Sequence, residues 1–185
     1  MAHADPRGDE ALVEAANRGD AAAFEALYVR YRDWVVRLAH RFTADRDDAL
    51  DVLQDTFAYL LGKLPTLRLT ARMTTFLYPV VKHLSLRVLE KKRRSVPADD
   101  LLRHRAARPP EGIESSRAEL AAALAFLPEG QLEVVLMRFV DDMALREIAD
   151  ALDIPLGTVK SRLHNALSTL RRDPRTRRYF GDAAR

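Results

Sequence analysis

The 185 residues of this chain include no cysteine. That absence excludes disulfide bonds and thiol catalysis, and it fits a cytoplasmic protein. Charged residues interrupt every apolar segment before it reaches the length of a membrane span, so we expect no membrane insertion. The first ten residues, MAHADPRGDE, also lack the basic-then-apolar pattern of a secretory signal. Together these absences predict a cytoplasmic location.

The chain also lacks the residue groupings on which enzymes depend. No glycine-rich loop ends in Lys-Ser or Lys-Thr, which is the pattern of a phosphate-binding loop. Paired carboxylates exist, but on a helix face expected to point outward, without a neighbouring histidine. The sequence therefore predicts a protein that is not an enzyme, with no catalytic residue, metal or cofactor. The histidines are scattered without the spacing of metal ligands, at His3, His40, His83, His104 and His164.

Helical spacing of apolar residues runs through the chain, and no segment alternates with the period of a strand. Before residue 95 this spacing predicts four helices. The first ends at Gly19, Asp20 caps the second, the third spans about 46–64, and the fourth finishes in the basic run 91–94. In the third helix the residues expected to face inward are Leu50, Leu53, Phe57, Leu60 and Leu61.

Residues 95–115 differ in composition from the rest of the chain. Prolines, mixed charges and few large apolar groups predict a flexible linker there. A capping-box pattern at 116–119 then predicts the start of a second group of helices. The expected fold is all-α, with one helical domain at 10–94, the linker, and a second helical domain at 116–178.

The most specific local pattern lies at 143–170, MALREIADALDIPLGTVKSRLHNALSTL. It predicts two short amphipathic helices separated at Pro155, which disfavours helical geometry at Ile154. Thr158 is the expected N-cap of the second helix. Such a helix-turn-helix places its second helix in the DNA major groove, although a plain core hairpin is the alternative. The residues off the apolar face of that helix are Thr158, Lys160, Ser161, Arg162, His164 and Asn165.

The net charge of +3 hides a segregation of charge along the chain. On the third helix, acidic residues share a face that we expect to point outward. Asp51 and Asp55 repel one another at helical spacing, which indicates a docking surface for a basic partner. A merely solvated face is the alternative. The members of this predicted surface are Asp47, Asp48, Asp51, Gln54 and Asp55.

The fourth helix has the opposite sign. Clustered cations neutralise phosphates, and the preceding Phe76 and Tyr78 are aromatics that can stack on unpaired bases. The alternative is that Phe76 belongs to the core and the basic run is a solvated helix end. A second basic cluster follows the helix-turn-helix, at Arg171, Arg172, Arg175, Arg177 and Arg178. The residues of the fourth helix predicted to contact DNA are Phe76, Lys82, His83 and Arg87.

Three segments, taken in this order, resemble the small two-domain extracytoplasmic-function (ECF) group of bacterial RNA polymerase sigma factors. They are 19–28 (GDAAAFEALY), 48–57 (DALDVLQDTF) and 147–163 (EIADALDIPLGTVKSRL), and the resemblance extends over 12–94 and 119–170. It implies a factor that binds core RNA polymerase and directs promoter recognition and transcription initiation. The rivals are a sigma-like module that docks without recognising promoters, and an autonomous helix-turn-helix regulator.

The resemblance implies a role for each surface. Asp48, Asp51, Gln54 and Asp55 would bind the coiled coil of the polymerase's clamp-bearing subunit. The loop 65–75 would hold a flipped base of the −10 element, and the helix 76–94 would hold the melted strand. The −35 element would be recognised by Lys160, Ser161, His164 and Asn165.

The chain departs from the family at several positions. Phe76 stands where Trp is usual, and Pro79, which should kink the fourth helix or delay its start, replaces a basic residue. His83, Arg87 and Asn165 are further departures. The sequence leaves open the promoter, the inducing signal, and whether an anti-sigma protein holds the chain inactive.

Overall fold

The computed structural model describes residues 5–95, 115–174 and 176. In these residues the secondary structure is helical, without strands, which confirms the all-α prediction. The chain divides into two compact units, Met1–Ala107 and Arg108–Arg185. No helix of the described part is long and apolar enough to cross a membrane. The helices are α1 (Asp9–Asn17), α2 (Ala21–Thr43), α3 (Arg46–Lys63), α4 (Met73–Ser95), α5 (Ser115–Leu124), α6 (Glu129–Phe139), α7 (Leu145–Leu152) and α8 (Leu156–Arg172).

Local signals set the helix boundaries of the first unit. Gly19 follows α1 with φ +88°, a conformation that glycine adopts without strain. The Asp20 carboxylate accepts hydrogen bonds from the amides of Ala22 and Ala23, so the predicted cap of α2 is confirmed. Asp45 caps α3 in the same way, and its Oδ1 accepts hydrogen bonds from the amides of Asp47 and Asp48 at 2.9 and 3.0 Å. This second cap is not among the predicted ones.

The core of the first unit forms where α2 packs against α1, α3 and α4 and where α3 packs against α4. Within α3, Leu53, Phe57 and Leu60 are buried as predicted, but Leu50 and Leu61 are 39% and 56% exposed. The buried stripe of α3 is completed by small residues such as Ala49 and Thr56, and it leaves those two leucines beside it. The largest buried side chains include Leu12, Leu27, Leu38, Leu60, Met73 and Leu77.

Pro79 lies inside α4. The helix begins at Met73, so the expectation that Pro79 delays its start is wrong. The proline removes only the backbone bond to the carbonyl of Thr75, and its ring is exposed. Helical geometry therefore extends from Met73 to the basic run, and Phe76, His83 and Arg87 share one helix.

The second unit is built from α6, α7 and α8, which pack on one another, with residues of α5 completing its core. The two helices predicted at 143–170 are present as α7 and α8. Asp153 ends α7 with φ 52°, and Pro155 immediately precedes α8. The prediction that Thr158 is the N-cap is wrong, because α8 already begins at Leu156. One cluster of buried residues in this unit consists of Ala123, Leu127, Val135, Ala166 and Leu170.

The predicted linker, 95–115, lies outside the described residues apart from its two ends. Ser95 is the last residue of α4, and Ser115 is the first residue of α5. Three members of the second basic cluster, Arg175, Arg177 and Arg178, also lie outside the described part of the chain. The domain boundaries stay predictions.

Candidate functional sites

The exposed side of α3 carries an acidic face, which we define as Asp47, Leu50, Asp51, Gln54 and Asp55. All five side chains are exposed, and their spacing places them on one side of the helix. Within the described residues, neither Asp51 nor Asp55 forms an ion pair. The partly exposed Leu50 adds an apolar group among the carboxylates. This face therefore carries the carboxylates of Asp51 and Asp55, which no cation of the described residues neutralises, with the apolar side chain of Leu50 among them.

Asp48 does not belong to this face, and its predicted outward position is wrong. Its side chain is buried, with a residue exposure of 7%, and its Oδ2 lies 2.6 Å from Nζ of Lys92 on α4. Asp48 lies one helical turn before Val52, at the edge of the buried stripe of α3, and its contact with Lys92 directs it towards α4. Lys92, expected to join the basic surface, is likewise directed at α3.

Neighbouring groups shift the pKa values of Lys92 and of Asp45, the residue that caps α3. The contact with the Asp48 carboxylate raises the pKa of Lys92, although partial burial opposes the shift. The Asp45 carboxylate, 3.7 Å from the same Nζ, has a lowered pKa. The hydrogen bond from the backbone amide of Asp48 is the main cause of that lowering, and the charge of Lys92 adds to it. Both groups are therefore charged at neutral pH.

Helix α4 carries the residues of the first unit that are predicted to contact DNA. His83 and Arg87 are exposed one turn apart, whereas Phe76 and Lys82 are half-buried. Tyr78 is only 2% exposed, and its ring packs edge-on against that of Phe42. The expectation that Tyr78 is available for stacking on bases is therefore wrong.

An aromatic pair joins α3 and α4. The ring centroids of Tyr59 and Phe76 are 6.4 Å apart, with planes inclined by 30°, and Lys63 Nζ lies 5.0 Å from the centroid of the Tyr59 ring. Tyr59 is 42% exposed. Tyr59 and Lys63 are not among the predicted site residues, although an aromatic residue off the buried stripe of α3 is a signal that the sequence contains. The two rings and the Lys63 cation therefore lie together on the two helices that flank the residues between α3 and α4.

Those residues, 64–72, form the α3–α4 loop. Hydrogen bonds at its ends join Thr66 N to Lys63 O and Thr75 N to Arg72 O. In its middle, Asn17 Nδ2 of α1 donates to Leu67 O at 2.8 Å. Most of the loop side chains are exposed. The loop thus presents a solvent-facing edge close in sequence to both helices that carry the aromatic pair.

On α8, four polar residues share the side opposite the core. Lys160, Ser161, His164 and Asn165 are all exposed, while Val159, Ala166 and Leu170 are buried against the rest of the unit. The structure thus places these four together, at the spacing a helix needs to meet the floor of a groove. We call Lys160, Ser161, His164 and Asn165 the recognition surface.

Arg162 and Thr158 flank this surface rather than belonging to it, because both are half-buried. Arg162 lies against the start of α6. A Cβ added to Gly130 would be 3.2 Å from its Cζ, so the glycine makes room for the guanidinium. Arg162 therefore packs partly within its own unit, and the sequence alone did not indicate this.

Comparison with known proteins identifies both units. Residues 27–95 match the family model described as Sigma-70 region 2, and residues 117–170 match Sigma-70, region 4. The chain belongs to the sigma-70 family. The region 2 match of this sigma factor includes the acidic face, the aromatic pair and the α3–α4 loop. The region 4 match includes the recognition surface, whereas Asn17 precedes the matched residues.

Relatives of this sigma factor place it in the ECF group. It is 24% identical over 183 residues to the ECF RNA polymerase sigma factor SigW of Bacillus subtilis, covering 88% of this chain and 95% of that protein. It is 28% identical over 172 residues to the ECF RNA polymerase sigma-E factor of Haemophilus influenzae, covering 85% and 90%. These similarities confirm the predicted family and the prediction that the chain is not an enzyme.

A solved structure shares the fold of this sigma factor. It is the sigma factor RpoE in complex with the anti-sigma factor NepR from Bartonella quintana, with a TM-score of 0.60 and 19% sequence identity. The match covers 80% of this chain and 94% of that one. It agrees with the all-helical architecture derived above.

Proposed function

We propose that this sigma factor binds core RNA polymerase through the acidic face of α3 and directs the enzyme to promoters in the cytoplasm. The observation that carries the proposal is the segregation of exposed charge. Asp51 and Asp55 face solvent and have no ion-pair partner among the residues that the structure describes, whereas His83, Arg87 and Lys160 are exposed on other helices. A negative surface suits a basic protein partner, and positive surfaces suit nucleic acid.

For docking, we assign Asp51, Gln54 and Asp55 as the residues that contact polymerase. Exposed carboxylates guide a basic partner over long range and fix its orientation on contact. The partly exposed Leu50 supplies apolar area at the centre of the same face. We assign Asp48 a different role, which is to stabilise the packing of α4 on α3, because its carboxylate is buried against Lys92.

For the −10 element, we assign the aromatic pair and the α3–α4 loop to the melted strand. Bases extruded from a duplex lose their stacking partners, and aromatic faces replace them without regard to sequence. Phe76 supplies a ring, with Tyr59 and Lys63 beside it. His83, Arg87 and Lys82 follow along α4, where we assign them to the phosphates of that strand.

For the −35 element, we assign the recognition surface to base edges in the major groove. Lys160 and His164 donate hydrogen bonds to base acceptors, Asn165 offers both donor and acceptor, and Ser161 serves either role. Thr158 and Arg162, which flank the surface, we assign to the phosphate backbone. An anti-sigma protein stays a predicted partner of the chain.

The test is run-off transcription with purified core polymerase and a library of genomic promoters. We expect specific transcripts only when core enzyme and this chain are combined, and weak binding of the chain alone to duplex promoters. Tight binding of the chain alone to a palindromic duplex, unaffected by core enzyme, would establish an autonomous regulator. Stable binding to core enzyme with no specific transcript would establish a docking module. The doubly charge-reversed variant Asp51→Lys/Asp55→Lys serves as the control without docking.

A further inference from the structure

Asn17, the last residue of α1, connects that helix to the α3–α4 loop. Its side-chain Nδ2 donates to the carbonyl oxygen of Leu67 at 2.8 Å, across a separation of 50 residues. The end of α1 does not need this side chain, because the amides of Arg18 and Gly19 bond to the carbonyls of Ala15 and Ala16. The amide of Asn17 therefore acts on the loop rather than on its own helix.

Asn17 Nδ2 supplies the middle of the loop with a hydrogen bond from another element. Among the residues that the structure describes, 67–71 form no other hydrogen bond. Arg68, Thr70 and Ala71 are exposed, whereas Leu67, beside Asn17, and Leu69 are half-buried. A segment held at its two ends and at one internal point is free to shift when that internal point is lost. Asn17 thus fixes the position of the solvent-facing edge of the loop.

The Asn17 side chain is half-buried, and its Oδ1 is buried without a hydrogen-bond partner in the described residues. Burying an amide oxygen without a partner has a free-energy cost, so the position is not optimised for the stability of α1. We infer that Asn17 is a positioning residue for promoter opening: it holds the α3–α4 loop in place for an unpaired base of the −10 strand. This inference rests on the proposed function of the loop.

Two substitutions test the role of the Nδ2 donor. Asn17→Ala removes it, and Asn17→Asp keeps the shape but directs a carboxylate oxygen at the Leu67 carbonyl. We expect Asn17→Ala to weaken binding of the single-stranded −10 element by about three- to tenfold, the effect of one hydrogen bond, and Asn17→Asp to weaken it more. Glu14→Ala, at an exposed position on the same helix, is the matched control and should bind like the unmodified chain.

The measurement is the affinity of the holoenzyme, assembled from core polymerase and each variant, for fluorescent non-template-strand oligonucleotides. Single abasic sites are placed at each position of the −10 element. If Asn17 acts through a base held by the loop, removing that base removes the loss caused by Asn17→Ala, while abasic sites elsewhere leave it. A merely structural role lowers affinity equally for every oligonucleotide. Core affinity and the melting temperature are measured in parallel.

The outcomes separate this inference from the proposed function. Equal losses at every abasic position, or no loss in either Asn17 variant, would overturn the positioning role while leaving strand binding by the unmodified holoenzyme intact. If the unmodified holoenzyme does not distinguish the −10 strand from a scrambled one, the proposed function fails and the inference fails with it. Disappearance of the Asn17→Ala loss at one abasic position, with the loss kept at the others, supports both.

Discussion

Lys92 Nζ lies 2.6 Å from Asp48 Oδ2, which joins the last turns of α4 to the first turn of α3. Each residue had been predicted to face a partner molecule, one the polymerase and the other DNA. Their ion pair instead fixes the two helices that carry the acidic face and the basic residues. The charge of the acidic face is not neutralised in this way, because Asp51 and Asp55, further along α3, form no ion pair with a cation of the described residues.

Removing Lys92 should destabilise the first unit. Lys92→Met keeps the aliphatic stem and leaves the buried Asp48 carboxylate without its cation. We expect the free energy of unfolding to fall by about 1–2 kcal/mol, less than for a fully buried pair because half of the Lys92 side chain is exposed. Urea denaturation measures the change.

A second substitution distinguishes this ion pair from a general effect of charge. Asp48→Asn added to Lys92→Met should recover most of the lost stability, because the uncompensated carboxylate is then removed. Arg93→Met removes a neighbouring exposed cation and is the control. If Arg93→Met and Lys92→Met destabilise the chain equally, the contact with Asp48 is not the cause.

Charge reversal on the acidic face should prevent docking. We expect Asp51→Lys/Asp55→Lys to weaken core polymerase binding by roughly tenfold or more, because two attractive charges become repulsive at the interface. The fold should be unchanged, since both side chains face solvent. Titration of labelled chain with core enzyme measures the affinity.

The matched control for docking is Glu14→Lys/Glu25→Lys, which makes the same change in net charge at exposed positions of α1 and α2. It should bind core enzyme like the unmodified chain. Similar losses in both double variants would show that total charge, and not the acidic face, governs binding.

Alanine at Lys160 or His164 should relax recognition of the −35 element. A base contact contributes about 1–3 kcal/mol of discrimination, so each variant should lose preference for the correct duplex over a scrambled one. Holoenzyme affinity for the two duplexes is the measurement. Thr169→Ala, exposed later on α8, is the control. Equal losses on both duplexes would assign the changed residue to phosphates only.

Removing a ring of the aromatic pair should weaken strand binding. Stacking of one base on an aromatic side chain is worth about 1–3 kcal/mol, so Phe76→Leu and Tyr59→Leu should reduce holoenzyme affinity for the single-stranded −10 element. Phe76→Trp keeps an aromatic ring, so its holoenzyme should retain affinity for the single-stranded −10 element. Phe139→Leu removes an exposed ring of the second unit and is the control. Unchanged affinity in both leucine variants would contradict the assignment.

The sequence by itself determined the helices and most of their exposed faces. Asp20 accepts hydrogen bonds from amides two and three residues away, so the start of α2 depends on neighbouring residues. The boundary between α7 and α8 likewise depends on Pro155 and the residues next to it. Such local interactions can be predicted from the spacing of residues in the sequence. The recognition surface followed for the same reason. Helical periodicity fixes which residues share a face whenever one face is strongly apolar.

Only the tertiary structure decided which element covers each face. Asp48 with Lys92, Tyr59 with Phe76, and Asn17 with Leu67 are contacts between different elements. Periodicity gives the direction of a side chain about its own helix axis, but the neighbour it meets depends on how helices pack. Asp48 lies at the edge of the buried stripe of α3, where a small rotation of the helix decides between solvent and a partner. That is why a charged residue predicted to face outward is buried against a lysine.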